Sequence, residues 1–128
     1  MQANWQAFLK QAGELIQDND VIDFSNSDIN LSGTPLVVPL SGFAMLAVSG
    51  NDRHEFLHGQ FINDLNFIEN NAAQISGWCN SKGQLITNFI IINTGIAYLL
   101  IFKEDLKEFV QKRLLMFVMR SNVFINDI

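Results

Sequence analysis

The feature that most constrains the fold is a set of three apolar segments joined by two short turns. Ala72 to Cys79 and Gln84 to Asn93 are connected by Asn80-Ser81-Lys82-Gly83, a turn-forming stretch with glycine last. Thr94-Gly95 makes the next turn, and Ile96 to Phe102 pairs back. Connections this short join neighbouring antiparallel strands, because a parallel crossover needs a dozen residues or more. The hydrophobic period then changes: Leu106, Phe109, Val110, Leu114 and Phe117 form the stripe of a helix. Asn122 to Asn126 reads as a last strand. Ahead of the three strands, Ala44 to Val48 reads as a buried strand closed by Ser49 and Gly50. Asp52 and Glu55 have the spacing of a capping box, and the helix they start runs to about His58, where Gly59 interrupts it. Asn63 or Asp64 starts a further short turn. The order strand, helix, three strands, helix, strand predicts an α+β domain with a ferredoxin-like split βαβ core and one extra strand.

The segment before this core has a different character. Trp5, Phe8, Leu9, Ala12, Leu15 and Ile16 repeat at helical spacing and predict an amphipathic N-terminal helix from about Asn4 to Gln17. From Val21 to Ser41, Ser, Asn, Asp, Gly33, Pro35 and Pro39 break the chain into short pieces, with brief strands expected near Val21 to Phe24 and Leu36 to Leu40. The expected organisation is a lead-in over residues 1–42 that wraps a core over 43–128. The 128 residues suit one domain rather than two. The sequence stops at Ile128, directly after a strand, which is the ending expected of a domain cut from a longer protein.

Charge excludes some functions. Only 16% of residues are charged, where about 25% is usual. Some apolar surface is therefore expected to be covered by a partner or by another domain. The net charge of −5 argues against general nucleic-acid binding, which needs a basic face. Lys103, Lys107, Lys112, Arg113 and Arg120 do cluster, but Glu104, Asp105 and Glu108 dilute them into a solvated helix face. Cys79 is the single cysteine, so no internal disulfide forms and a reducing, cytoplasmic location is expected. The first residues lack a signal-type apolar run, and no stretch approaches the ~18 apolar residues that span a bilayer.

Several residues carry potential chemistry. His54-Glu55-Phe56-Leu57-His58 matches the H-E-x-x-H pattern of zinc hydrolases, in which two histidines one turn apart hold the metal and the glutamate activates water. There is no third histidine, so a carboxylate such as Glu69 would have to complete the site, and Gly59 weakens the helix that must align the ligands. Glu55 is also explained as a capping partner. Cys79 stands beside a turn with Lys82 nearby, yet no histidine adjoins it in sequence, and a half-buried structural thiol accounts for it. Asp64 has a local explanation as a cap or turn residue, and Lys82-Gly83 as the turn itself. A small zinc hydrolase and a pure protein-interaction domain are the two alternatives to the reading that follows.

Three blocks resemble a known family when taken in order. Val48-Ser49-Gly50-Asn51-Asp52, with Phe56-Leu57-His58-Gly59-Gln60 and Asn63-Asp64-Leu65, looks like V-x-G-x-D…F-L-Q-G-Q-x-T-x-D-V. Cys79-Asn80-Ser81-Lys82-Gly83-Gln84 looks like C-D-A-K-G-R/K, and Arg120-Ser121-Asn122-Val123-Phe124-Ile125 looks like the R/F-S-K-V-x-I strand. The set, spanning about Phe43 to Asp127, resembles the N-terminal part of the YgfZ branch of the folate-binding proteins related to the glycine-cleavage T-protein. In that family His58 falls where glutamine is usual and His54 and Glu55 on variable positions, so the resemblance makes the zinc motif a coincidence. The aminomethyltransferase branch carries G-G-x-x-D-D after the hairpin turn. Here Gly83, Gln84, Thr87 and Asn88 stand there without a carboxylate, which implies the non-catalytic branch. The resemblance implies a tetrahydrofolate-binding accessory protein that supports tRNA modification and iron–sulfur enzymes. It implies a folate cleft drawing on Gln60, Asn63, Asp64, Lys82, Gly83 and Asn88, with no catalytic residue and no metal. Folate in this family lies within a ring of domains, so the implied partners are folate, missing C-terminal domains and a client iron–sulfur protein. Asp64 would accept pterin N–H groups and Lys82 would attract the glutamate tail.

Overall fold

A computed structural model of the protein describes residues 3–11, 14–17, 20–24, 40 and 42–128. Met1–Gly42 and Phe43–Ile128 are two units, described separately. In the first, helix α1 spans Ala3–Gln11, and strands β1 (Glu14–Gln17) and β2 (Asp20–Phe24) pair antiparallel. The helix expected to reach Gln17 thus ends at Gln11. Leu15 and Ile16 fit a helical stripe, but they equally suit a strand, and pairing with Asp23 and Val21 decides in favour of the strand. β2 lies where a brief strand was expected. The strand expected near Leu36 to Leu40 falls on residues outside the described set, apart from Leu40.

The second unit is built on β3 (Phe43–Ser49), α2 (Arg53–His58), β4 (Ala72–Cys79), β5 (Leu85–Asn93), β6 (Tyr98–Lys103), α3 (Lys107–Val118) and β7 (Phe124–Asp127). Short 3-10 turns at Leu65–Phe67 and Glu104–Leu106 precede β4 and α3. The five strands form one sheet in the order β4-β5-β6-β3-β7, with every neighbouring pair antiparallel. β6 and β7 therefore run parallel with β3 between them, and α3 connects them, which is a split βαβ unit. β3 and β5 likewise run parallel around β6. β4 is the extra strand at the edge. The fold is ferredoxin-like α+β, as the element order predicts.

Alternation fixes which face is buried. Ala44, Leu46 and Val48 on β3, Phe89 and Ile91 on β5, Leu100 and Phe102 on β6 and Ile125 on β7 are all buried. They pack with Phe56 and Leu57 of α2 and with Val110 and Leu114 of α3 in one cluster. Phe61, Phe89 and Phe102 form a ring chain through it, with centroids 4.8 and 5.3 Å apart. Fully burying one such side chain stabilises by ~1.5–3 kcal/mol.

The expected capping box does not form. Asp52 makes no side-chain bond to its own helix. Its carboxylate instead accepts the Asn122 N–H at 2.7 Å, and its own N–H donates to the Asn122 carbonyl at 3.1 Å. A long-range tie between α2 and the lead-in to β7 has taken the group that local spacing assigned to a cap. Among the described residues, no helix is long and apolar enough to cross a membrane.

Candidate functional site

The residues singled out by sequence fall in two places. The first surrounds the edge strand β4. After α2 the chain runs alongside it: Phe61 bridges to Trp78, Ile62 N–H donates to the Gly77 carbonyl at 3.0 Å, and Asn63 N–H reaches Ser76 Oγ at 3.4 Å. On the other side of β4, Asn88 of β5 stands opposite Gly77. Ile62 and Asn88 therefore flank Gly77 from either side, and Asn63 lies one residue further along, beside the buried Ser76. Asn88 lies on the sheet face away from the helices and is exposed; its neighbour Thr87 faces the core and is buried.

Gly77 explains the shape here. A Cβ on it would meet Leu85 Cδ1 at 2.9 Å and Ile62 Cδ1 at 3.0 Å. These two side chains already close over the glycine and remain largely exposed themselves. Leu85 arrives there because the β4–β5 ladder shifts register between Trp78 and Cys79, which pairs Leu85 with Cys79. A one-residue bulge moves a side chain to the other face. The result is an apolar ledge beside the Asn88 amide, open to solvent, on which a flat ring could lie with its polar edge toward the amide. Lys82 and Gly83 stand at the hairpin tip beyond the ledge, both exposed. Asn80 Oδ1 accepts the Lys82 and Gln84 N–H groups at 2.9 and 3.0 Å, so this turn is held by its own side chain.

The second place is the 3-10 turn. Asp64 caps it, accepting from Asn66 N–H and from Asn66 Nδ2, each at 2.8 Å. Because a carboxylate can only accept, Asn66 presents its Oδ1 to His54 Nε2 at 3.0 Å, and that nitrogen carries the proton. In the neutral ring His54 Nδ1 then accepts the Tyr98 O–H at 2.7 Å. His58 Nδ1 lies 3.5 Å from Asp64 and 3.4 Å from the Leu65 N–H. The Asn66 N–H holds the Asp64 carboxyl below its usual value, aided by the Asn66 amide and the two histidines. Burial pushes the Tyr98 phenol up, against the opposing charge of Arg53, which suits a phenol that donates.

The two histidines do stack with centroids 6.0 Å apart, as their spacing implies. Both nitrogens of His54, however, are engaged by protein groups. Among the described residues, no group of three or more His, Cys, Asp or Glu is placed to hold a metal ion.

The structure thus sets Asn88 beside Gly77, Asn63 next to Ser76 one position along the edge strand, Lys82 and Gly83 at the neighbouring tip, and Asp64 in a separate polar chain. Gln60 sits between the two, its N–H bonded to the Leu57 carbonyl at 3.0 Å. Sequence reasoning missed Gly77, Ile62 and Leu85. A glycine inside a strand pattern was the available signal, since it marks a bulge or a close approach. Nothing local marks Tyr98 and Asn66 as partners of His54.

No protein-family model matches the chain. Over 65 residues, 51% of the chain, it is 31% identical to the tRNA-modifying protein YgfZ of Colwellia psychrerythraea. The chain spans about a fifth of that relative's length (20%). In structure, 68% of the chain matches 24% of the glycine cleavage system aminomethyltransferase T from Bartonella henselae, with a TM-score of 0.64 and 14% sequence identity. That likeness shows the fold. The resemblance drawn from the three sequence blocks stands: the chain is similar to YgfZ in sequence and to an aminomethyltransferase T in fold.

Proposed function

We propose that this chain is a folate-binding accessory domain of the YgfZ type, forming one wall of the ligand cleft of a longer cytoplasmic protein. The observation that carries the reading is Asn88, a neutral amide exposed beside an apolar ledge where the transferase pattern calls for a carboxylate. The ledge of Ile62 and Leu85 suits the flat face of a pterin, the amide of Asn88 offers donors and an acceptor to its edge, and Asn63 stands one residue further along the same segment. Lys82 at the hairpin tip attracts the anionic glutamate tail through solvent. Asp64 contributes from the neighbouring turn, as a carboxylate already ionised at neutral pH. Tetrahydrofolate supplies a one-carbon carrier when bound; the residues of this chain bind and orient it.

Support for a role in tRNA modification comes from the name of the YgfZ relative. Maintenance of iron–sulfur enzymes, and docking of a client iron–sulfur protein, extend that role. Titration of the protein from the complete reading frame with tetrahydrofolate tests the assignment. Asn88→Ala is expected to weaken binding about 3- to 10-fold, in line with ~0.5–1.5 kcal/mol for one hydrogen bond. Lys82→Ala should affect the polyglutamate more than the monoglutamate, with the difference shrinking as salt is added. Unchanged affinity in both variants would remove this face from the site.

A further inference from the structure

Helix α3 faces the core along one stripe only. Val110 and Leu114 are buried, and Leu106 and Val118 pack against the same cluster. The other side chains fall into rows of i, i+4 spacing: Phe109-Arg113-Phe117, then Glu108-Lys112-Met116-Arg120, then Gln111-Leu115-Met119. The outer side of a helix packed this way normally carries polar residues. Here Met116 is 61% exposed and Met119 87%, and Phe109, Leu115 and Phe117 are close to half exposed. A groove runs between the second and third rows, lined by Glu108, Gln111, Lys112, Leu115 and Met116. A groove between two such rows is the shape that receives a ridge of side chains from another helix.

Charge indicates what kind of helix that is. The half-buried Arg113 guanidinium lies over two rings, its carbon 5.7 Å from the Trp78 centroid and 5.9 Å from that of Phe109. Its Nε is buried without a hydrogen-bond partner among the described residues. The ion pairs among those residues join His58 to Asp64 and Lys107 to Glu104 and Asp127, so none compensates Lys112, Arg113 or Arg120. A cation partly withdrawn from water and left without an acceptor is costly until an anion meets it. Arginine and aromatic side chains set together in this way carry much of the energy of protein–protein contacts. Glu108 lies toward the start of the face and the three cations at its middle and end. Two copies of α3 laid antiparallel would press Lys112 and Arg113 against their own counterparts, and like charges so placed repel. We infer that the outer face of α3 is the docking site for an acidic amphipathic helix of a separate protein. The apolar ridge of that helix lies in the groove, and its carboxylates meet Arg113 and Lys112. The site is independent of the folate ledge, because α3 covers the face of the sheet opposite to Asn88.

The test is fluorescence anisotropy with two labelled synthetic peptides. Each is an amphipathic helix of about four turns with leucine along one face. The flanking positions are glutamate in one and lysine in its twin. Both are titrated with the 128-residue chain and with the product of the complete reading frame. The glutamate peptide is expected to bind each protein about tenfold more tightly than the twin. Lys112→Glu, at an exposed position, should bring the two affinities within about threefold of each other. Arg113→Glu should do the same where circular dichroism shows it folded. Equal affinities in the parent, no saturable binding of either peptide, or a preference unchanged in Lys112→Glu would overturn the inference. Binding by the 128-residue chain but not by the longer protein would give the face to the rest of that polypeptide and overturn it too. So would a doubled mass in sedimentation without peptide, abolished by Met116→Glu, which would give the face to a second copy.

Discussion

At the scale of single residues, two positions carry more than their chemistry suggests. Gly50 has φ +103, and a Cβ there would overlap the Asn122 carbonyl oxygen, the acceptor that also receives the Asp52 N–H. The obstacle is backbone, so no side chain can rotate away. Gly50→Ala is expected to cost more than ~2 kcal/mol, combining positive-φ strain with loss of the α2–β7 tie. Urea unfolding measures it, and a midpoint equal to that of the parent would contradict the assigned geometry. Asp64 gives a pH dependence whose sign is fixed. Its pKa in the folded chain is lowered by the Asn66 N–H, so its contribution is present above the ordinary carboxylate value. That contribution is lost as pH falls through the lowered value. Asp64→Asn should therefore narrow its stability gap to the parent as pH falls from 7 to 3. A constant gap across that range would show that the carboxylate contributes through shape alone.

Among the elements, the β4–β5 hairpin shows most directly how sequence becomes structure. Its turn holds Gly83 at φ +75, and Asn80 bonds the turn from both its carbonyl and its side chain. Gly83→Ala should cost ~1–2 kcal/mol, the penalty for an L-residue in the left-handed region. Thermal unfolding reads this as a shift of several degrees in a domain of this size; no shift would mean the turn relaxes. This hairpin was legible because turn chemistry and hydrophobic period agree there. The N-terminal helix was extended too far because Leu15 and Ile16 satisfy helical and strand patterns alike, and only pairing with β2 separates them. The capping box failed for a different reason: the Asp52 carboxylate bonds a residue 70 positions away, which local spacing cannot register. The site was legible in part. The sequence singles out Asn88, which stands beside the ledge, while the ledge itself depends on a register shift that turns Leu85 over Gly77, and the sequence carries no mark of that shift except the glycine.

For the whole molecule, low charge and a two-faced sheet point the same way. The 16% charged content goes with exposed apolar residues, among them Ile75 and Ile90 on the sheet face away from the core. A small-molecule pocket usually encloses ~70–90% of its ligand, whereas the ledge beside Asn88 offers one side only. Contacts made from one side compete with water and contribute little each. The 128-residue chain and the longer protein should therefore differ in folate binding. Tetrahydrofolate titrated calorimetrically into the 128-residue chain should give weak binding or none, and titrated into the product of the complete reading frame should give clear saturable binding. Full affinity in the 128-residue chain, or none in the longer protein, would contradict the account.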